Sequence, residues 1–307
     1  MLNTITDIEG IKVGHATDEK ARTGCTVLLC EKGFRASCEV RGGAPGTREI
    51  ALLKPTAKMD EVHAILLSGG SAFGLQAAGG VMKYLEEKNT GFPTGVTRVP
   101  IVPAAIIFDL AYGNADIRPG PEMGYKASAN AISGAFNTGS VGVGTGATVG
   151  KILGMDHCMK SGVGTASIKK GDLIVGALAV CNAFGDIINP DSGDIIAGAC
   201  NDNNEFINSV EYYMNQKFQQ GFTGQNTTLV VVATNANISK SESKKVASMA
   251  HDGIARSIAP VHTMFDGDIV FNLNNNKIDN IEVGILGTMA AEVTAKAILN
   301  TVKNITD

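Results

Sequence analysis

Gln225-Asn226-Thr227-Thr228 runs directly into Leu229-Val230-Val231-Val232-Ala233. A polar, turn-forming segment gives way to an almost wholly apolar run. That run is short and rich in β-branched valine, so it reads as a strand buried on both faces. Asn-Thr pairs before strands are common, and a strand-entry turn is one account of the pattern. A chemical account stands beside it. If the Asn226–Thr227 bond were cut, Thr227 would carry a free α-amine beside its γ-hydroxyl. Such an amine can act as the base that activates the hydroxyl, with no histidine required.

The surrounding elements alternate in type. Residues 166–169 and 173–181 read as strands joined by Lys170-Gly171-Asp172. Residues 26–30 and 36–40 flank Lys32-Gly33 and predict a hairpin. Residues 63–67, 99–110 and 268–273 are further apolar, strand-like stretches. A helix with Leu75, Ala78, Met82 and Leu85 on one face follows the first of these. Others are expected over 122–133, over 205–217, after a Ser241 cap with Val246, Met249, Ala250 and Ile254 facing inward, and over 284–302. The last places Ile285, Met289, Val293 and Ala297 on one stripe. Strands apolar on both faces, mixed with helices, point to a sheet sandwich covered by helices on both sides.

The chain has 307 residues, 44% of them hydrophobic and 18% charged, enough for a sizeable core in one large domain or two ordinary ones, and read here as a single domain over 1–307. Net charge is −4, with no tryptophan and no basic stripe, which speaks against nucleic acid or anionic membrane as partner. Residues 101–110 are too short an apolar run to span a bilayer. Met1-Leu2-Asn3-Thr4-Ile5 carries no signal-peptide pattern, so a cytoplasmic protein is expected. None of the six cysteines forms a C-x-x-C pair. They read as small buried hydrophobes in a reducing compartment, without a metal or other cofactor.

Four motifs bear on chemistry. Residues 139–151, GSVGVGTGATVGK, fail the phosphate-loop pattern, because Thr145 and Ile152 stand where glycine and a hydroxyl residue are needed. The segment is either a closely packed glycine loop or one that delivers Lys151 to a site. Gly69-Gly70-Ser71-Ala72-Phe73-Gly74 resembles a nucleophile elbow, but Phe73 breaks G-x-S-x-G. These glycines instead let a helix start approach another backbone and a substrate. Asp266-Gly267-Asp268 sets two carboxylates at a strand entrance. With no histidine in the motif they would make only a weak metal site; an ordinary turn and recognition of an ammonium group are the other readings. Asn182 ends the apolar run 173–181, where its carboxamide can donate to an oxyanion or cap a turn.

Several longer words lie in order along the chain: TGCTVLL at 23–29, LLSGGSAFGL at 66–75, PIVPAAIIFDL at 100–110, GATVGK at 146–151, NAFGD at 182–186 and NTTLVVVATNA at 226–236. With Ile8-Glu9-Gly10-Ile11-Lys12-Val13-Gly14-His15, they resemble the N-terminal-nucleophile aminopeptidases of the L-aminopeptidase/D-amino-acid esterase-amidase type. β-Aminopeptidases and the nylon-oligomer (6-aminohexanoate oligomer) hydrolase belong to the same group. The resemblance implies a four-layer αββα sandwich, made as a precursor that cuts itself into residues 1–226 and 227–307. It implies Thr227 as nucleophile and Asn226 as the residue before the cut. Lys151, Asn182, Asp266 and Asp268 match the active-site lysine, asparagine and acidic pair. Tyr112 is a candidate for the pocket tyrosine, and Gly69, Gly70 and Ser71 are candidate substrate-binding residues.

Aminopeptidase members often have serine after the cut and glutamate or serine in the later pair. Threonine and Asp-Gly-Asp are similar to the nylon-oligomer hydrolase variant. Expected substrates are therefore small peptides, amino-acid amides or ω-amino-acid oligomers, on a homo-oligomer, often a tetramer. An acyltransferase on a related self-cleaving fold and a non-enzymatic relative are the other classes weighed.

Overall fold

A computed structural model describes residues 1–215, 226–303 and 305. Strands β1 (Lys12–Asp18), β2 (Thr23–Val40), β3 (Glu61–Ser68), β4 (Ala104–Ile106), β5 (Val163–Lys170), β6 (Leu173–Asn182), β7 (Thr227–Ala236) and β8 (Ile269–Ile278) carry the fold. The helices are α1 (Ala77–Glu87), α2 (Pro121–Ala129), α3 (Ser209–Asn215), α4 (Lys240–Ser257) and α5 (Val283–Asn300). Strands pair in the order β5-β6-β7-β8-β2-β3-β4, with β1 also on β2. The β7–β8 and β3–β4 pairs are parallel and the β6–β7 pair antiparallel.

Alternation along each strand sorts the side chains into layers. Leu229, Val231 and Ala233 of β7 face a central core, with Leu178 and Val180 of β6 and Phe271 of β8. Leu28 and Cys30 of β2 and Ile65 and Leu67 of β3 meet them there. The opposite faces turn outward. Val230 and Val232 pack with Val246 and Ile254 of α4 and Val293 of α5. Val27 and Leu66 pack with Val81 and Leu85 of α1 and Ala127 of α2. Two sheet layers thus enclose the core and two helix layers cover them, the expected αββα sandwich.

The expected hairpin at 26–40 is instead one strand of 18 residues. Its first half pairs with β1 and its last residues, Arg35–Val40, pair with β8. The register against β3 slips between Leu29 and Phe34. Gly33, at φ +81°, sits in that bulge. Glycine marks a bend here rather than a reversal, and β2 passes from one sheet layer to the other.

Three more boundaries differ. Only Ala104–Ile106 of the 99–110 run joins the sheet. Pro100 and Pro103, which lack N–H donors, interrupt it. Helix α4 is capped by Ser239, not Ser241: the Ser239 hydroxyl accepts from the Glu242 N–H and Glu242 reaches back. The 122–133 helix ends at Ala129. The hairpin of β5 and β6 forms as expected, with Lys170 opposite Leu173. On α5, Met289, Val293 and Ala297 are buried while Ile285 is 43% exposed. Positions 216 and 217 of the expected third helix, and Gln225, lie outside the described residues. Among the described residues no helix is long and apolar enough to cross a membrane.

Candidate active site

Register brings the site together. Asn182, the last residue of β6, lies directly opposite Thr227, the first of β7. On the other side of β7, Asn226 bridges Asp266 in the parallel sense, just before β8 begins. Three neighbouring strands therefore start or end at one edge of the sandwich, and each contributes a polar residue there. Thr227, Asn182, Lys151, Asp266 and Asp268 are all buried. Buried polar groups must find partners, and these do.

Lys151 arrives on the glycine-rich segment. Gly150 adopts φ +72°, and a Cβ there would lie 2.0 Å from the Ala199 nitrogen, so only glycine fits the turn. The Lys151 N–H donates to the Phe184 carbonyl at 2.9 Å. Its Nζ donates to both the main-chain oxygen and Oδ1 of Asn182, each at 2.8 Å. Asn182 Oδ1 also accepts from the Thr148 N–H at 3.1 Å, and its Nδ2 donates to the Phe108 carbonyl at 3.0 Å. The carboxamide is thus oriented, with one N–H engaged by Phe108. Earlier in the segment, the Gly142 and Val143 amides donate to the hydroxyls of Thr17 and Thr26. Those amides hold the loop to β1 and β2, the packed arrangement, and its end carries Lys151.

At the threonine, Oγ1 donates to the Asn226 carbonyl oxygen at 2.5 Å. The same oxygen accepts from the Gly267 N–H at 2.7 Å. A Cβ on Gly267 would lie 2.9 Å from Thr227 Oγ1 and 2.8 Å from the Ala44 carbonyl, so glycine permits this approach. Asp268 Oδ1 accepts from the Thr228 N–H at 2.6 Å. Asp266 accepts from the Thr263 N–H and hydroxyl at 3.0 and 2.5 Å, and from the Phe184 N–H at 3.4 Å.

Burial dominates the charges. It pushes the Lys151 amine down to about 7, against the pull of Cys158 and of the Asp266 and Asp109 carboxylates. It lifts Asp266 to about 6, with the charge of Asp268 acting in the same direction. A lysine that is readily neutral and a carboxyl that is readily protonated sit at one sheet edge, an arrangement suited to moving protons near neutral pH.

Two residues with roles at this edge were not singled out from the sequence. His262 Nδ1 lies 2.7 Å from Asp268 Oδ2, so a histidine does attend the acidic pair. Nothing in a lone histidine six positions upstream signals that contact. Asp109 is 3% exposed and accepts from the Thr23 hydroxyl at 2.6 Å and the Gly70 N–H at 2.7 Å. Burial holds its carboxyl above the usual carboxylate range, against those two hydrogen bonds. Gly69 and Gly70 belong to this carboxylate: a Cβ on Gly69 would lie 2.1 Å from Asp109 Oδ2. Ser71 follows at φ +52°, its N–H on the Ile107 carbonyl. Tyr112 donates its N–H to the Asp109 carbonyl, and its ring lies under the Arg22 guanidinium at 5.0 Å. These four residues therefore gather around Asp109, which meets the first group through Phe108 and Asn182.

The profile of peptidase family S58 matches residues 3–306. A relative from Mycobacterium leprae (strain TN), described as an uncharacterized aminopeptidase, is 40% identical over 303 residues, covering 91% of this chain and 80% of the relative. The 6-aminohexanoate-oligomer endohydrolase of Kocuria sp. (strain KY2) is 30% identical, over 97% of this chain and 85% of that protein. Among solved structures, the L-aminopeptidase D-Ala-esterase/amidase of Ochrobactrum anthropi, described as a variant of the Ntn hydrolase fold, superposes with a TM-score of 0.71 at 18% identity. That match covers 98% of this chain and 85% of the other. With a family profile spanning nearly its whole length, on a sandwich that buries a lysine, an asparagine and two aspartates around one strand end, the chain belongs to peptidase family S58 and is a hydrolase of peptide or amide bonds.

Proposed function

We propose that the protein is a self-processing amide hydrolase whose nucleophile is Thr227, released by cleavage of its own Asn226–Thr227 bond. The observation that carries this reading is the seating of the Asn226 carbonyl. Its oxygen receives both the Thr227 hydroxyl and the Gly267 N–H. A donor fixed on a carbonyl oxygen stabilises the negative charge that develops there on attack. In the first step, Oγ1 bonds to the Asn226 carbonyl carbon, the C–N bond breaks, and the acyl group moves from nitrogen to oxygen. Water then hydrolyses the ester, leaving a carboxylate on Asn226 and a free amine on Thr227.

In turnover the same oxygen attacks a substrate amide. The Thr227 amine takes the hydroxyl proton and passes it to the leaving amine, and water releases the acyl group. Lys151, readily neutral, assists as a proton acceptor beside Asn182. The second N–H of Asn182 supplies an oxyanion donor. The acidic pair favours substrates with a free ammonium group: small peptides, amino-acid amides or ω-amino-acid oligomers. The 30% identity to a 6-aminohexanoate-oligomer endohydrolase supports the last class. The same reading makes the active form a homo-oligomer.

Intact-mass analysis of purified protein tests cleavage: pieces of residues 1–226 and 227–307 are expected, and Thr227→Ala should stay whole and inactive. A fully active uncut chain would sink the reading. For the substrate, amino-acid p-nitroanilides should be cleaved about 10- to 100-fold better than their N-acetyl forms, the discrimination of one charged hydrogen bond. Equal specificity constants for the two would remove the acidic pair from recognition.

A further inference from the structure

His262 is not part of the five-residue set above, yet it contacts that set directly. Its Nδ1 lies 2.7 Å from Asp268 Oδ2, and its main-chain N–H donates to the same oxygen at 3.2 Å. The other oxygen of Asp268 accepts from the Thr228 N–H at 2.6 Å. A carboxylate only accepts, so the contact assigns the ring proton to Nδ1. Three donors thus converge on a carboxylate that is 1% exposed. Neighbouring Asp266 also accepts three donors, the Thr263 N–H, the Thr263 hydroxyl and the Phe184 N–H. Asp268 is the acid of the pair that holds the start of β7, through the Thr228 N–H.

The backbone is committed to this arrangement. His262 sits at φ +55°, an uncommon conformation for a residue with a side chain. Its ring is packed edge-on to His251 of α4, with centroids 4.8 Å apart. His251 is itself held by the Glu39 carbonyl at 3.0 Å, and burial pushes it down to about 4, so it brings no charge to the pair at neutral pH. Glu39 pairs with Lys244 at 2.7 Å, and Arg41 with Asp252 at 3.4 Å. Among the described residues, the side-chain donor that reaches Asp268 is His262 Nδ1.

We propose that His262 is a positioning residue that holds Asp268 in place against the start of β7, so that the Thr227 end is aligned for attack. It touches Asp268, not the reacting atoms. The proposal rests on the reading of Thr227 as nucleophile.

The test compares His262→Gly with His262→Asn in the full chain. Both residues tolerate positive φ, so neither is disfavoured by the backbone. Both keep the main-chain donor to Asp268. Asparagine also offers Nδ2 close to where Nδ1 stood, whereas glycine offers nothing. The readout is kcat and KM for a free-amine p-nitroanilide, per mole of cleaved chain counted by intact mass. In His262→Gly, kcat/KM should fall about 10- to 100-fold, as for loss of a hydrogen bond to a charged group. The loss should fall on kcat with KM little changed, because alignment of the nucleophile is lost and not substrate binding. His262→Asn should recover most of kcat.

Equal losses in both variants would reduce His262 to packing. Wild-type kcat and KM in His262→Gly would overturn the proposal as well. Thr227→Ala, assayed in parallel, separates the two ideas. If it remains active, the nucleophile reading fails. If it is inactive while His262→Gly is unchanged, only the role of His262 fails.

Discussion

Lys151 is an amine that the fold holds close to neutrality, and this has two measurable consequences. Its value falls from 10.5 to about 7 through burial. In the proposed role of proton acceptor it works only when neutral, so turnover should rise as pH climbs through about 7. Stability runs in the same direction. Between those two values the unfolded chain binds a proton that the folded chain refuses, so lowering the pH through that window destabilises the fold, and the loss is complete below about 7. Lys151→Met abolishes the titration. It also removes donors from Asn182, but that loss does not depend on pH. The stability of the variant relative to wild type should therefore improve by roughly 1–3 kcal/mol from mildly alkaline to mildly acid pH. Denaturant melts at the two ends of the range measure it, and a difference that does not change with pH would show that Lys151 is charged in the fold.

At the scale of elements, helix α4 offers a clean comparison. The sequence presents two serines at its start, and the structure gives the cap to Ser239, whose hydroxyl and N–H both meet Glu242. Ser239→Ala should destabilise by about 0.5–2 kcal/mol, while Ser241→Ala, on the first turn, should be nearly silent. Matched thermal melts would reverse the assignment if Ser241 proved the costly one. The reason for the misreading is general. A cap is defined by where non-helical backbone ends, and the apolar periodicity of Val246, Ala250 and Ile254 leaves that point open by a residue or two. The same limit explains β2. Gly33 announces a departure from regular backbone, but a turn and a bulge use glycine alike. Only the partners of the two halves, β1 and β8, decide which it is.

At the scale of the molecule, the sandwich was legible because its strands are apolar on both faces, as in residues 229–233 and 173–181. Two covered faces require two helix layers. Thr227, Asn182 and the Asp266–Asp268 pair were legible as a set because each stands where a buried strand begins or ends. Register then brings those ends to one edge. His262 and Asp109 were not, because their importance lies in contacts across 6 and 86 positions that no local pattern records.

That strand order also bears on what the proposed cut would do to the fold. The proposed small piece supplies β7 and β8, and these lie between β6 and β2 of the large piece, bonded along both flanks. Neither piece can complete the sheet without the other. Assembly from an uncut chain is a first-order event, since both parties are tethered. Recovery of the mature enzyme from denaturant is a meeting of two molecules, and its yield should rise with protein concentration, whereas Thr227→Ala should regain its fold to the same extent at any dilution. Far-ultraviolet circular dichroism over a dilution series distinguishes the two. A bond broken for chemistry would thereby make maturation a passage that the folded protein cannot easily retrace.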